Sequence, residues 1–141
     1  MIFAEQYIQP DNLSNKNNLS QDGEELLTYK FMCFDGEPKI MYVTVKNNDI
    51  WENYYDMNFS PLNIRRRYRH SFMQIKKPSK WDEMIDIARK LSTGIPHVRI
   101  DLYYTHDNIY FSEYTFYDWG GRILFEPEEW EEKLGEWIKI P

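Results

Sequence analysis

Val98-Arg99-Ile100-Asp101-Leu102, followed by Ile109-Tyr110-Phe111-Ser112-Glu113-Tyr114-Thr115-Phe116, is the stretch whose reading decides the fold. Both runs are rich in β-branched and aromatic residues and alternate in polarity, which is the pattern of paired strands. The connecting Thr105-His106-Asp107-Asn108 is turn-like, and Asn108 tolerates a left-handed backbone. A three-residue loop, His106-Asp107-Asn108, pairs Thr105 with Ile109. Continued without interruption, that register sets Asp101 opposite Glu113 and Arg99 opposite Thr115, all on one face. Like charges directly opposite on a sheet repel. A divalent cation between them reverses the sign, and paired carboxylates are a common way to hold Mg²⁺ beside phosphates. A two-residue loop in a regular ladder puts the carboxylates on opposite faces, so register decides what the pair can do.

Working outward, residues 26–33 and 39–45 flank Asp35-Gly36, a strong turn signal, and predict a second hairpin. Between the hairpins, Pro78-Ser79 predicts a helix start, with Ser79 as N-cap and Asp82 completing an approximate capping box. Trp81, Met84, Ile85, Ala88 and Leu91 recur at helical spacing, Gly94 ends the segment and Pro96 prevents its return. Residues 1–8 read as a short apolar strand, and 10–25 as a long, mobile polar loop. Residues 47–61 read as irregular, anchored by Trp51, Tyr54, Tyr55 and Phe59. After the central hairpin, Asp118-Trp119-Gly120-Gly121 breaks the sheet. Glu126-Pro127-Glu128 then opens a short acidic helix to about Leu134, closed by Gly135. The predicted class is α+β: antiparallel hairpins packed with one or two helices, in a single domain over 1–141.

Lys and Arg number 17 against 23 Asp and Glu, a net charge of -6, which argues against broad binding to nucleic acid or anionic membranes. Cys33 is the only cysteine, so an internal disulfide and a Cys-based zinc site are excluded; in its apolar run it reads as a buried, inert thiol. No apolar run approaches the ~20 residues of a membrane span. Residue 1 onward shows no basic-then-apolar signal, and a cytoplasmic location is expected. The aromatic share of 17%, with Trp51, Tyr54, Tyr55, Tyr103, Tyr104 and Trp119 among the rings, reads as core filling rather than a sugar groove. The basic run 65–70 reads as a solvated face or internal salt bridging rather than a phosphate site. His70, His97 and His106 lack metal-ligand spacing.

The chain resembles the carboxy-terminal part of an ATP-grasp domain of the TupA-like branch, named for teichuronopeptide biosynthesis. The likeness lies in Ala4-Glu5-Gln6-Tyr7-Ile8, Tyr29-Lys30-Phe31-Met32-Cys33-Phe34-Asp35-Gly36 and Ala88-Arg89-Lys90-Leu91-Ser92. It continues through Val98-Arg99-Ile100-Asp101, Phe111-Ser112-Glu113-Tyr114-Thr115-Phe116, Phe125-Glu126-Pro127-Glu128-Glu129-Trp130 and Leu134-Gly135. What the resemblance implies is ATP-dependent ligation, in which a carboxylate is phosphorylated and a nucleophile then displaces phosphate. It implies ATP and Mg²⁺ as cofactors, with Asp101, Glu113 and Thr115 as metal ligands and Arg99 stabilising charge at the transferring centre. It further implies Glu5 on the hinge that reads adenine, Tyr7 and Ile8 on its rim, and Lys30 near the nucleotide. Thr28 and Ser112 depart from the branch pattern, which has Asp and Gly there. The resemblance also expects a preceding lobe with phosphate-binding lysines and a glycine-rich loop. This chain then reads as half of the clamp, inactive alone and dependent on a partner lobe or self-association. The implied substrates are a nucleotide and a carboxylate or glycan-linked molecule of envelope polysaccharide synthesis, in loci where some members carry glycosyltransferase labels. The other class of function is a non-catalytic remnant, or a carbohydrate- or protein-binding module that kept the fold.

Overall fold

A computed structural model describes residues 27–47, 49–71, 75–116 and 123–139. The expected strand at 1–8, the loop at 10–25 and the sheet break at 118–121 lie outside the described residues. Among the described residues there are six strands and two helices: β1 (Thr28–Phe34), β2 (Glu37–Asn47), β3 (Asp49–Tyr55), β4 (Pro61–Leu62), α1 (Trp81–Ser92), β5 (His97–Thr105), β6 (Asn108–Thr115) and α2 (Glu129–Trp137). The class is α+β, as expected. The two hairpins are not separate: β1 pairs antiparallel with β5, and all six strands form one sheet in the order β4-β3-β2-β1-β5-β6. No helix among the described residues is long and apolar enough to cross a membrane.

The first hairpin turns on Asp35 and Gly36, whose φ values of 52° and 77° give the two left-handed residues that match strand twist. The central hairpin corrects the sequence reading. Its loop has two residues, His106 and Asp107, at φ 50° and 58°, and Thr105 pairs with Asn108 rather than Ile109. That register holds only as far as Leu102, which lies opposite Phe111. The next pair is Asp101 with Glu113, leaving Ser112 as one extra residue on β6. This β-bulge adds back the residue that the tight turn removed. Asp101 therefore does face Glu113, and Arg99 faces Thr115.

Residues 49–55 form a strand rather than an irregular segment. Glu52, Asn53, Tyr54 and Tyr55 are all buried, so the polar-apolar alternation that marks a half-exposed strand is absent. α1 begins at Trp81 with Lys80 as its N-cap and no side-chain cap. Ser79 instead bonds the Tyr104 hydroxyl and Asp107. α2 runs through Gly135 to Trp137, with Leu134 buried and Trp130 and Trp137 packed on the sheet. Tertiary burial of that face outweighs the cost of a helical glycine.

Alternation along each strand splits the core in two. One face carries Phe31, Cys33, Met41, Val43, Ile100 and Leu102 against Trp81, Met84 and Ala88 of α1. The other carries Met32, Phe34, Ile40, Tyr42 and Tyr54 against Ile64 and Leu134. Cys33 is fully buried, and burial pushes its thiol up to about 12, consistent with an inert role.

Candidate functional site

The sheet brings Lys30, Asp101 and Glu113 into one cross-strand row, because β1 pairs Lys30 with Asp101 and β5 pairs Asp101 with Glu113. Tyr42 on β2 extends the row beyond Lys30. The neighbouring row contains Met32, Arg99 and Thr115. Arg99 and Asp101 are two apart on one strand and so share a face.

Arg99 joins the two carboxylates. Its Nε donates to Asp101 Oδ1 at 2.8 Å and its Nη2 to Asp101 Oδ2 at 2.9 Å. Nη2 also donates to Glu113 Oε1 at 3.2 Å, and Nη1 to the Tyr42 hydroxyl at 3.0 Å. The Asp101 side chain is 2% exposed and the Glu113 side chain 58%, so one acid is interior and the other reaches solvent. Burial raises the Asp101 carboxyl above its ordinary range and outweighs the opposing pull of Arg99 and Lys30; a hydrogen bond with Glu113 pushes the same way as burial.

The two rows together are close to charge-neutral, with Arg99 and Lys30 against Asp101 and Glu113. Among the described residues, no group of three or more His, Cys, Asp or Glu side chains is placed to hold a metal ion. The donors on offer are two carboxylates and the Thr115 hydroxyl, all hard oxygens that suit Mg²⁺. They fit the ion when phosphates bring the remaining negative charge and ligands. Of the other residues expected at the site, Glu5, Tyr7 and Ile8 lie outside the described residues.

Two parts of the site were not anticipated. Tyr42 is 1% exposed, and its hydroxyl fixes one end of the Arg99 guanidinium. Arg66, from the basic run, is interior: its Nε donates to the Tyr54 hydroxyl at 2.6 Å, which donates to Glu52 Oε2 at 2.7 Å. The Arg66 guanidinium lies 4.6 Å from the Tyr42 ring centre, and the Tyr42 and Tyr54 rings stack at 5.1 Å. Buried charge and stacked rings thus support Tyr42 from behind. An unbroken register from the Asp35-Gly36 turn would pair Tyr42 with Tyr29, on the face opposite Lys30. One extra residue in β2 between Pro38 and Ile40 shifts it opposite Lys30, and that bulge is not legible in the sequence. The inward turn of Arg66 has no sequence signal. Arg65 pairs with Glu126 and Arg69 with Asp49 at the surface, and Arg66 pairs with Glu52 inside, as the salt-bridging reading expects.

The six-stranded sheet with its two helices is an α+β lobe of the ATP-grasp type. The chain belongs to the TupA-like ATP-grasp family, whose model matches residues 2–139. Comparison with curated proteins finds no match, and neither does comparison with solved structures.

Proposed function

We propose that the face carrying Arg99, Asp101, Glu113 and Thr115 handles the phosphates of Mg²⁺-bound ATP in a carboxylate-ligase reaction. The observation that carries this reading is the Asp101–Glu113 pairing with the Arg99 guanidinium forked between the two acids. In this reading Asp101, Glu113 and Thr115 hold the cation, whose role when bound is to neutralise charge on the transferring phosphoryl group. Lys30 adds positive charge beside the phosphates. Glu5, Tyr7 and Ile8 meet the base. Arg99, held by Tyr42, donates to the oxyanion that develops as the nucleophile displaces phosphate. A carboxylate substrate and an amine or other nucleophile complete the reaction class. From the family resemblance we place the activity in bacterial surface-polysaccharide synthesis of the teichuronopeptide type, in the cytoplasm, where ATP is supplied.

Lys30, Asp101 and Glu113 line one face of the sheet, so they hold a nucleotide from one side only. We infer that a second lobe, from the same polypeptide or another, closes over it. Without that lobe's two cationic contacts, binding weakens by about 3–6 kcal/mol, so the chain alone should bind Mg-ATP at about millimolar. Titration with Mg-ATP followed by NMR tests this. The expected result is weak saturable binding that Glu113→Gln removes while the fold is kept. Unchanged binding in Glu113→Gln contradicts it. A second reading, a carbohydrate- or protein-binding module, draws support from the exposed Phe111 and Tyr114 rings on β6, whose centres are 5.1 Å apart.

A further inference from the structure

We propose that the cavity walled by the 63–70 segment and Glu126-Pro127 is a second anion site that takes a phosphoryl or diphosphate group of a small soluble ligand. It measures about 470 Å³ and is lined by Asn63, Arg65, Arg69, His70, Glu126 and Pro127. It shares no residue with the Arg99 face. The inward turn of Arg66 leaves Arg65, Arg67 and Arg69 exposed on the other side of the segment.

The Arg65 wall is pre-oriented. Arg65 and Glu126 exchange two backbone hydrogen bonds, of 2.8 and 2.6 Å. Arg65 Nε and Nη2 both donate to a single carboxylate oxygen, Glu126 Oε2, at 3.2 and 2.8 Å. That contact fixes the guanidinium plane and uses only part of its donor fork. The Arg69 guanidinium lies 5.7 Å from the Trp51 ring centre. Its acidic neighbour Asp49 is 3.8 Å away, and both side chains are more than half exposed, so an incoming anion displaces little. His70 Nε2 donates to the Ile64 carbonyl, which sets the ring at the cavity wall.

Two guanidinium groups, an imidazole and an amide therefore border one concave space, together with the Glu126 carboxylate that Arg65 already engages. A chain with net charge -6 repels anions in general, so capture depends on such a local concentration of donors. Donors arriving from several directions suit a tetrahedral group with oxygens on all sides better than a planar carboxylate.

The test is a titration of the full chain with inorganic pyrophosphate, read from the His70 ring signals by NMR. The expected result is a saturable shift at His70 that weakens roughly tenfold in Arg69→Gln, the loss of one charge-assisted contact. Lys30→Gln, at the other site, should leave it unchanged. Arg69 is a surface side chain, so Arg69→Gln should fold, and circular dichroism checks this. No saturable shift at His70, or one that Arg69→Gln leaves intact, overturns the proposal. Malonate binding as tightly as pyrophosphate overturns the phosphoryl assignment.

Discussion

Arg99 and Asp101 stand two residues apart on β5 and are joined by a two-pronged contact of 2.8 and 2.9 Å, with Asp101 almost wholly removed from solvent. Both oxygens of the interior acid are therefore taken by the guanidinium. The same guanidinium reaches Glu113 and is anchored by Tyr42, so four side chains share one network, and Lys30 beside Asp101 supplies the second positive charge that balances the two acids. A cation without phosphates would enter a cluster that already contains Arg99 and Lys30, which opposes it.

The first prediction follows from that charge balance. Mn²⁺ alone, as a probe for Mg²⁺, should show no site on the wild-type chain by electron paramagnetic resonance. Arg99→Gln removes one of the opposing charges and should bind Mn²⁺ roughly tenfold or more tightly. Mn²⁺ binding to the wild type as tight as to the variant would mean that Arg99 does not guard the carboxylates.

Asp101 also sets a pH dependence. Its folded carboxyl lies above the unfolded value, with burial the main cause. The folded state then holds more proton than the unfolded state between the two values. Stability from this group is complete below the unfolded pKa and is lost as pH rises through the folded one. Urea titrations over a pH series should show wild type gaining on Asp101→Asn as pH falls through the carboxylate range. A gain in the opposite direction would mean that Arg99 and Lys30 outweigh burial.

The interior pair Arg66 and Glu52 lends itself to a stability test. Each side chain is 1% exposed. Arg66→Met leaves the Glu52 carboxylate buried with its main cation gone and should cost roughly 3–5 kcal/mol in urea unfolding. Adding Glu52→Gln should recover most of that loss. A single-variant cost under about 1 kcal/mol would place the pair at the level of a surface contact.

The sequence carried the site further than it carried the sheet. The pairing of Asp101 with Glu113 was legible, although by an incorrect route: the turn has two residues, and the bulge at Ser112 restores the register that a three-residue loop would have set. Tight turns and bulges leave similar sequence traces, and their effects on register cancel here. Strand β3 was hidden because burial on both sides erases alternation, with Glu52 and Asn53 inside. The helix at α1 was clear from its apolar stripe, whereas its first residue was not, because Ser79 bonds Tyr104 and Asp107 instead of capping. A run of like residues gives no sign of which one points inward, so the burial of Arg66 among exposed arginines is not legible.

The aromatic side of β6 gives a prediction about association. β6 ends the described sheet, and Phe111 and Tyr114 are 49% and 41% exposed. Sedimentation velocity should show association that rises with concentration and is abolished by Phe111→Lys with Tyr114→Lys. A monomer at every concentration would count against a docking role for this edge.

The most direct test of the central claim is paramagnetic broadening by Mn²⁺ with a non-hydrolysable ATP analogue, read on the backbone amides of the full chain. The account predicts selective broadening at Asp101, Glu113 and Thr115 at millimolar nucleotide, removed by Glu113→Gln in a folded protein. Broadening centred on the 63–70 segment, or none on β5 and β6 at saturating nucleotide, would contradict it.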